Sequence, residues 1–123
     1  MPQIEGLYVV EFGDVAIGGE IYYCNGGVVV LETNHIFGGD SGYYYLGNYT
    51  IKDSQFEATV KIVKHNPTWE DAFGSTSPSF NIKVQATANN GIIEGFMDRL
   101  DPPQVRLPVR LTWKEDLPSS WRP

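Results

Sequence analysis

The sequence predicts an all-β protein, an eight-stranded antiparallel up-and-down barrel. Three observations carry that expectation: apolar residues recur at every second position, turn-forming residues interrupt the chain at short intervals, and almost no stretch has helical spacing. Eight sequential strands joined mostly by short turns suit closure, because a barrel removes the two open edges a flat sheet would expose. A sandwich is the alternative.

Strands are expected at 6–12, 15–24, 27–33, 43–52, 55–65, 79–89, 92–100 and 105–115. The boundary between the second and third rests on Asn25-Gly26-Gly27, residues that accept positive φ and suit a tight hairpin. Next comes a glycine-rich bend, Gly38-Gly39-Asp40-Ser41-Gly42, leading into the tyrosine-crowded fourth strand. Asp53-Ser54 reverses the chain into the fifth strand, where Phe56, Ala58, Val60 and Ile62 alternate with Glu57, Thr59, Lys61 and Val63. Phe80, Ile82, Val84 and Ala86 repeat that pattern in the sixth, and Asn90-Gly91 turns the chain into the seventh. After Asp101-Pro102-Pro103 the last strand places Leu107, Val109, Leu111 and Trp113 on one face. Its Pro108 cannot donate a ladder hydrogen bond and therefore calls for an open edge or a bulge.

The one long connection, Asn66 to Pro78, is read as a surface loop pinned by Trp69 and Phe73, with a lid over the barrel mouth as the alternative. Residues 1–115 form one domain, and 116–123 a tail. A chain of 123 residues suffices for one core.

Nine Lys and Arg against fifteen Asp and Glu give a net charge of −6, which repels polyanions and argues against a nucleic-acid partner. Cys24 is the single cysteine, so no internal disulfide forms and a reducing cytoplasm fits. No apolar run approaches the ~20 residues that a membrane-spanning helix needs, and the N-terminus has no signal-peptide pattern. A soluble cytoplasmic protein is expected.

Catalysis is not expected. Ser41 beside Asp40, with His35 and His65, contains the residue types of a hydrolase but not the strand-turn-helix setting of a nucleophile elbow. The two histidines and Asp40 define no metal geometry, and no cofactor motif occurs. The tyrosines offer more. Tyr43, Tyr45 and Tyr49 share one strand face with Gly47, whereas Tyr44 lies on the other. Turned inward, the first set, with Trp113 from the last strand, would line a cavity for an amphipathic small molecule. Turned outward, a tyrosine face would suit a protein contact. Plain core packing accounts for the same residues without either role. Tyr44, Asp53 and Trp69 are the candidates for binding a partner protein.

Gly6-Leu7-Tyr8-Val9-Val10-Glu11-Phe12, Gly27-Val28-Val29-Val30-Leu31, the Gly38 to Tyr49 segment, Lys64-His65-Asn66-Pro67 and the closing Leu107 to Trp113 strand together resemble the GrlR-like family, named for a negative regulator of type III secretion. The resemblance covers most of the chain. It implies a lipocalin-like barrel, a homodimer, and regulation through protein contact, with a lipid-like ligand as a further option. The founding regulator reaches its activator through four acidic residues between the fourth and fifth strands. Here that position reads Lys52-Asp53-Ser54-Gln55, so the activator and the link to secretion do not carry over.

Overall fold

The computed structural model describes residues 4–66, 77–102 and 104–118. Within them the chain forms eight strands: β1 Gly6–Val15, β2 Ile21–Glu32, β3 His35–Gly39, β4 Tyr43–Lys52, β5 Gln55–Lys64, β6 Ser79–Asn89, β7 Ile92–Arg99 and β8 Arg106–Glu115. Each pairs antiparallel with its neighbours in sequence, and β8 returns to β1 to close the barrel. Among the described residues no helix is long and apolar enough to cross a membrane.

Period-two patterning decides which side chains enter the barrel. In β5, Phe56, Ala58, Val60 and Ile62 are buried and the residues between them exposed or half-buried. β6 follows with Phe80, Ile82, Val84 and Ala86 inside. Glycine holds several inward positions, Gly38 and Gly47 among them. At Gly38 and Gly47 an added Cβ would collide with the main chain of the adjacent strand, at Val28 and Thr59 respectively, so the sheet can bend sharply there only without a side chain. Pro108 fits its strand as its chemistry requires: it pairs with Phe96 on the β7 side and lies beyond Val109, the last β8 residue that β1 engages.

The strands number eight, but the first three depart from the expected boundaries, β1 running three residues further, to Val15. Asn25-Gly26-Gly27 is not a turn. It lies inside β2, paired with β1, and the register shift between Phe12 and Gly13 falls beside it. The reversal occurs earlier, at 16–20, where Ala16 N donates to Glu20 O (2.7 Å), Gly19 N donates to Ala16 O (2.8 Å), and Gly19 takes φ +87°. Gly26 and Gly27 serve close approach instead. A Cβ would stand 2.8 Å from Val10 O at the first and 2.5 Å from Gly39 O at the second. Conversely, β3 occupies His35–Gly39, where no strand was expected; it takes in the first two residues of the glycine-rich bend, and the chain reverses at 40–42. Its hairpin from β2 is Thr33-Asn34, with φ of 48° and 66° in a pair containing no glycine. Thr33 is a β-branched residue seldom found in that region, and its amide is held by Glu5 Oε2 at 2.8 Å.

The two ends of the barrel differ. Tight turns at 33–34, 53–54 and 90–91 close one end, with the start of β1 and the end of β8. There Tyr8, Leu31, Phe56 and Ile93 are almost fully buried, and Tyr49 stacks on Phe56 at 5.5 Å between ring centroids. The opposite end carries the longer connections, 16–20, 40–42, 65–78 and 100–105.

Candidate functional site

The longer-looped end leads into a cavity of about 120 Å³. Its walls are Val10, Val29, Ile36, Val60, Ile82 and further apolar side chains, with Tyr43 and Tyr45 among them and Asn25, Asp40 and Ser41 as polar wall residues. Alternation in β4 puts Tyr43, Tyr45 and Tyr49 on the inward face, at 4%, 7% and 3% exposure.

The ligand candidates therefore separate. Tyr43 and Tyr45 line the cavity; Tyr49 and Trp113 do not. Tyr49 belongs to the plug at the closed end. Trp113 is at that end too, 36% exposed, its amide donating to Gly91 O at 2.7 Å. Shared strand parity placed Trp113 on the inner face, but its height along the barrel takes it away from the opening.

Asp40 organises the cavity mouth. Its Oδ1 accepts the amides of Gly42 and Tyr43, each at 2.8 Å, which fixes the reversal from β3 to β4. Its Oδ2 accepts the Tyr45 hydroxyl from inside the barrel. His65 approaches from the end of β5, with Nε2 2.9 Å from Asp40 O, while its own amide donates to Gly42 O at 2.9 Å. Burial, followed by the hydrogen bond and charge of Asp40, raises the Tyr45 pKa. Tyr45 is thus a neutral donor at any ordinary pH. Lys64 lies 5.9 Å from the Tyr43 ring centroid, and the buried Arg99 guanidinium 4.5 Å from that of Phe80.

The partner candidates do not form one surface. Tyr44 faces outward near the start of β4, 41% exposed. Asp53 occupies the β4–β5 turn at the opposite end with φ 57°, nine residues and about 30 Å of strand away. Trp69 and the rest of 67–76 lie outside the described residues, as does Trp121 of the tail.

Tyr44 instead belongs to a patch that alternation alone did not reveal. The pairings Val28↔Gly39↔Tyr44 and Val30↔Phe37↔Leu46 set two adjacent rows across β2, β3 and β4 on the outer face. Val28 is 47% and Leu46 52% exposed, Val30 and Phe37 are half-buried, and Gly39 leaves a dent between Val28 and Tyr44. The polar row Glu32↔His35↔Asn48 follows along the barrel axis. The signal that could have exposed the patch was the uninterrupted run Val28-Val29-Val30-Leu31, too apolar for a strand with one wet face.

Compared with models of protein families and with curated proteins, the chain matches none.

Proposed function

We propose that this protein is a non-enzymatic regulatory module of the GrlR-like kind, working in the cytoplasm through protein contact, and that its outer β2–β4 face is where a second copy docks. The observation that carries the reading is the patch formed by Val28, Val30, Phe37, Tyr44 and Leu46. Monomeric proteins seldom leave such contiguous apolar rows in water. The rows contain no charged side chain, so two copies of a chain with net charge −6 meet there without setting like charges face to face. The polar row beside them supplies a wettable rim.

Against catalysis stands the position of the imidazoles. His35 begins β3 at the closed end, Ser41 follows its other end, and His65 is engaged at the Asp40 carbonyl. The small-molecule reading, with Tyr43 and Tyr45 as polar anchors, meets a limit of size: about 120 Å³ is well below the ~300 Å³ at which drug-sized ligands begin to fit.

Native mass spectrometry of the protein purified gently from its own cells tests the reading. The expected result is a dimer that Leu46→Lys converts to a monomer with an unchanged circular dichroism spectrum. A monomer at every concentration, or a retained molecule of a few hundred daltons on a monomer, would overturn it.

A further inference from the structure

The cavity inside the barrel follows from missing side chains. An eight-stranded barrel is just wide enough for its inward side chains to fill it. Alternation turns Gly38 inward with Ile36, Gly47 with Tyr45 and Tyr49, and Gly95 with Ile93 and Met97. Their partners on the adjacent strands are Val29 and Tyr45 for Gly38, Ile36 and Val60 for Gly47, and Ala86 and Val109 for Gly95. All of these partners except Ala86 line the cavity. At each of the three glycines an added Cβ would collide with the main chain of a neighbouring strand. No side chain can close the space from these positions, so the void is part of the fold.

One end of this apolar space is polar, and its chemistry is one-sided. Asp40 and Tyr45 both line it. Asp40 Oδ1 accepts the amides of Gly42 and Tyr43, and Oδ2 accepts the Tyr45 hydroxyl. A phenol has a single proton to donate, so the Tyr45 oxygen has only lone pairs left to offer a guest, and a carboxylate likewise only accepts. The pair therefore asks for a donor. Asn25 and Ser41, which also line the cavity, are exposed and stay in contact with water. Charges of both signs lie at this end, Asp40 on one side and Lys64 and Arg99 against the rings of Tyr43 and Phe80 on the other. An anionic guest would meet Asp40 and a cationic one Lys64 and Arg99, whereas a neutral hydroxyl avoids both conflicts.

Size sets the rest of the guest. The cavity of about 120 Å³ lies below the range of drug-sized ligands but close to the ~150 Å³ of an engineered apolar cavity that takes benzene. We infer that the barrel binds a compact, uncharged hydroxyl compound of about six to eight non-hydrogen atoms, a single ring or a short branched chain. Its apolar body packs against Val29, Ile36, Val60 and Ile82, and its hydroxyl donates to the Asp40–Tyr45 pair. This site is inside the barrel and independent of the dimer patch on the outer face, a reading that fails separately, on the mass of the untreated protein.

The test is a titration of the full chain, with its methyl groups isotope-labelled, by phenol, toluene and benzoate in turn. Phenol and toluene have the same number of non-hydrogen atoms and differ in the hydroxyl. The expected result is saturable shifts at the methyls of Val29, Ile36 and Val60 with phenol, at least about tenfold tighter than with toluene, and none with benzoate. A purely apolar hole gives the reverse order, because it buries the phenol hydroxyl without a partner. Val60→Phe, whose ring fills the void, should abolish phenol binding while the spectrum stays that of a folded protein. Toluene binding as tightly as phenol, benzoate matching phenol, or no saturable shift at the cavity methyls would each overturn the inference. So would undiminished phenol binding by a folded Val60→Phe. Should that variant fail to fold, the order of the three compounds on the native protein decides the matter alone.

Discussion

The Tyr45 hydroxyl donates from inside the barrel to the Asp40 carboxylate that caps the β3–β4 turn. One side chain thus joins the inner wall to the mouth. Asp40→Ala removes the acceptor of two turn amides and leaves a buried phenol without its partner, and it should cost about 2–3 kcal/mol in urea unfolding. Tyr45→Phe removes only the donor and should cost about 1 kcal/mol. A double variant less destabilised than the sum would establish the coupling; strict additivity would refute it.

Stability should fall above about pH 10. Burial, then the proximity of Tyr49, pushes Tyr8 up to about 12, and Tyr45 is raised by burial and Asp40, both from an ordinary value of 10.0. Above about pH 10 the unfolded chain releases these protons while the folded chain keeps them, so unfolding is favoured as pH rises. The contribution is complete below that pH. Denaturation midpoints between pH 8 and about 11.5 should decline in the native protein and decline less in Tyr8→Phe, whereas parallel curves would count against the assignment.

Gly47→Ala should be among the most damaging small changes in the molecule. Its new methyl would strike the Thr59 carbonyl oxygen, which belongs to the paired main chain and cannot move aside alone. A loss of at least about 2 kcal/mol is expected from thermal unfolding. Gly18→Ala, with nothing within 4 Å of the added carbon, is the control and should change stability by less than about 0.5 kcal/mol.

Long-chain lipids should not enter the barrel. The cavity holds about 120 Å³ and the closed end is filled by Tyr8, Leu31, Tyr49 and Phe56. Palmitate at concentrations up to its solubility limit should leave the methyl resonances of Ile36, Val60 and Ile82 unshifted. Saturable shifts at these three would show that the interior opens.

Much of the barrel was legible in the chain because a two-residue period is a local property. β5, β6 and β8 show it, and Asn90-Gly91 announces its own hairpin. β2 and β3 were misdivided because glycine has two uses, reversing a chain and letting two main chains approach, and only the neighbouring strand distinguishes them. Gly26 and Gly27 serve the second use, whereas the true turn, Thr33-Asn34, carries no glycine. The site was less legible. Parity correctly grouped Tyr43, Tyr45 and Tyr49, but parity states which face a residue takes and not its height along the barrel, so Tyr49 and Trp113 were joined to a cavity they do not line.

By itself the sequence determined an all-β chain with one interior, a net charge of −6 and a single strand face shared by Tyr43, Tyr45 and Tyr49, since composition and alternation act within a single strand. Tertiary structure alone decided that the face of Tyr43, Tyr45 and Tyr49 turns inward, that Val28 lies in a row with Tyr44, that Asp40 meets Tyr45 and His65, and that β2 extends beyond its ladder with β3. These relationships depend on register between strands. Register is settled when every strand buries its apolar face at once, and no segment carries that condition on its own.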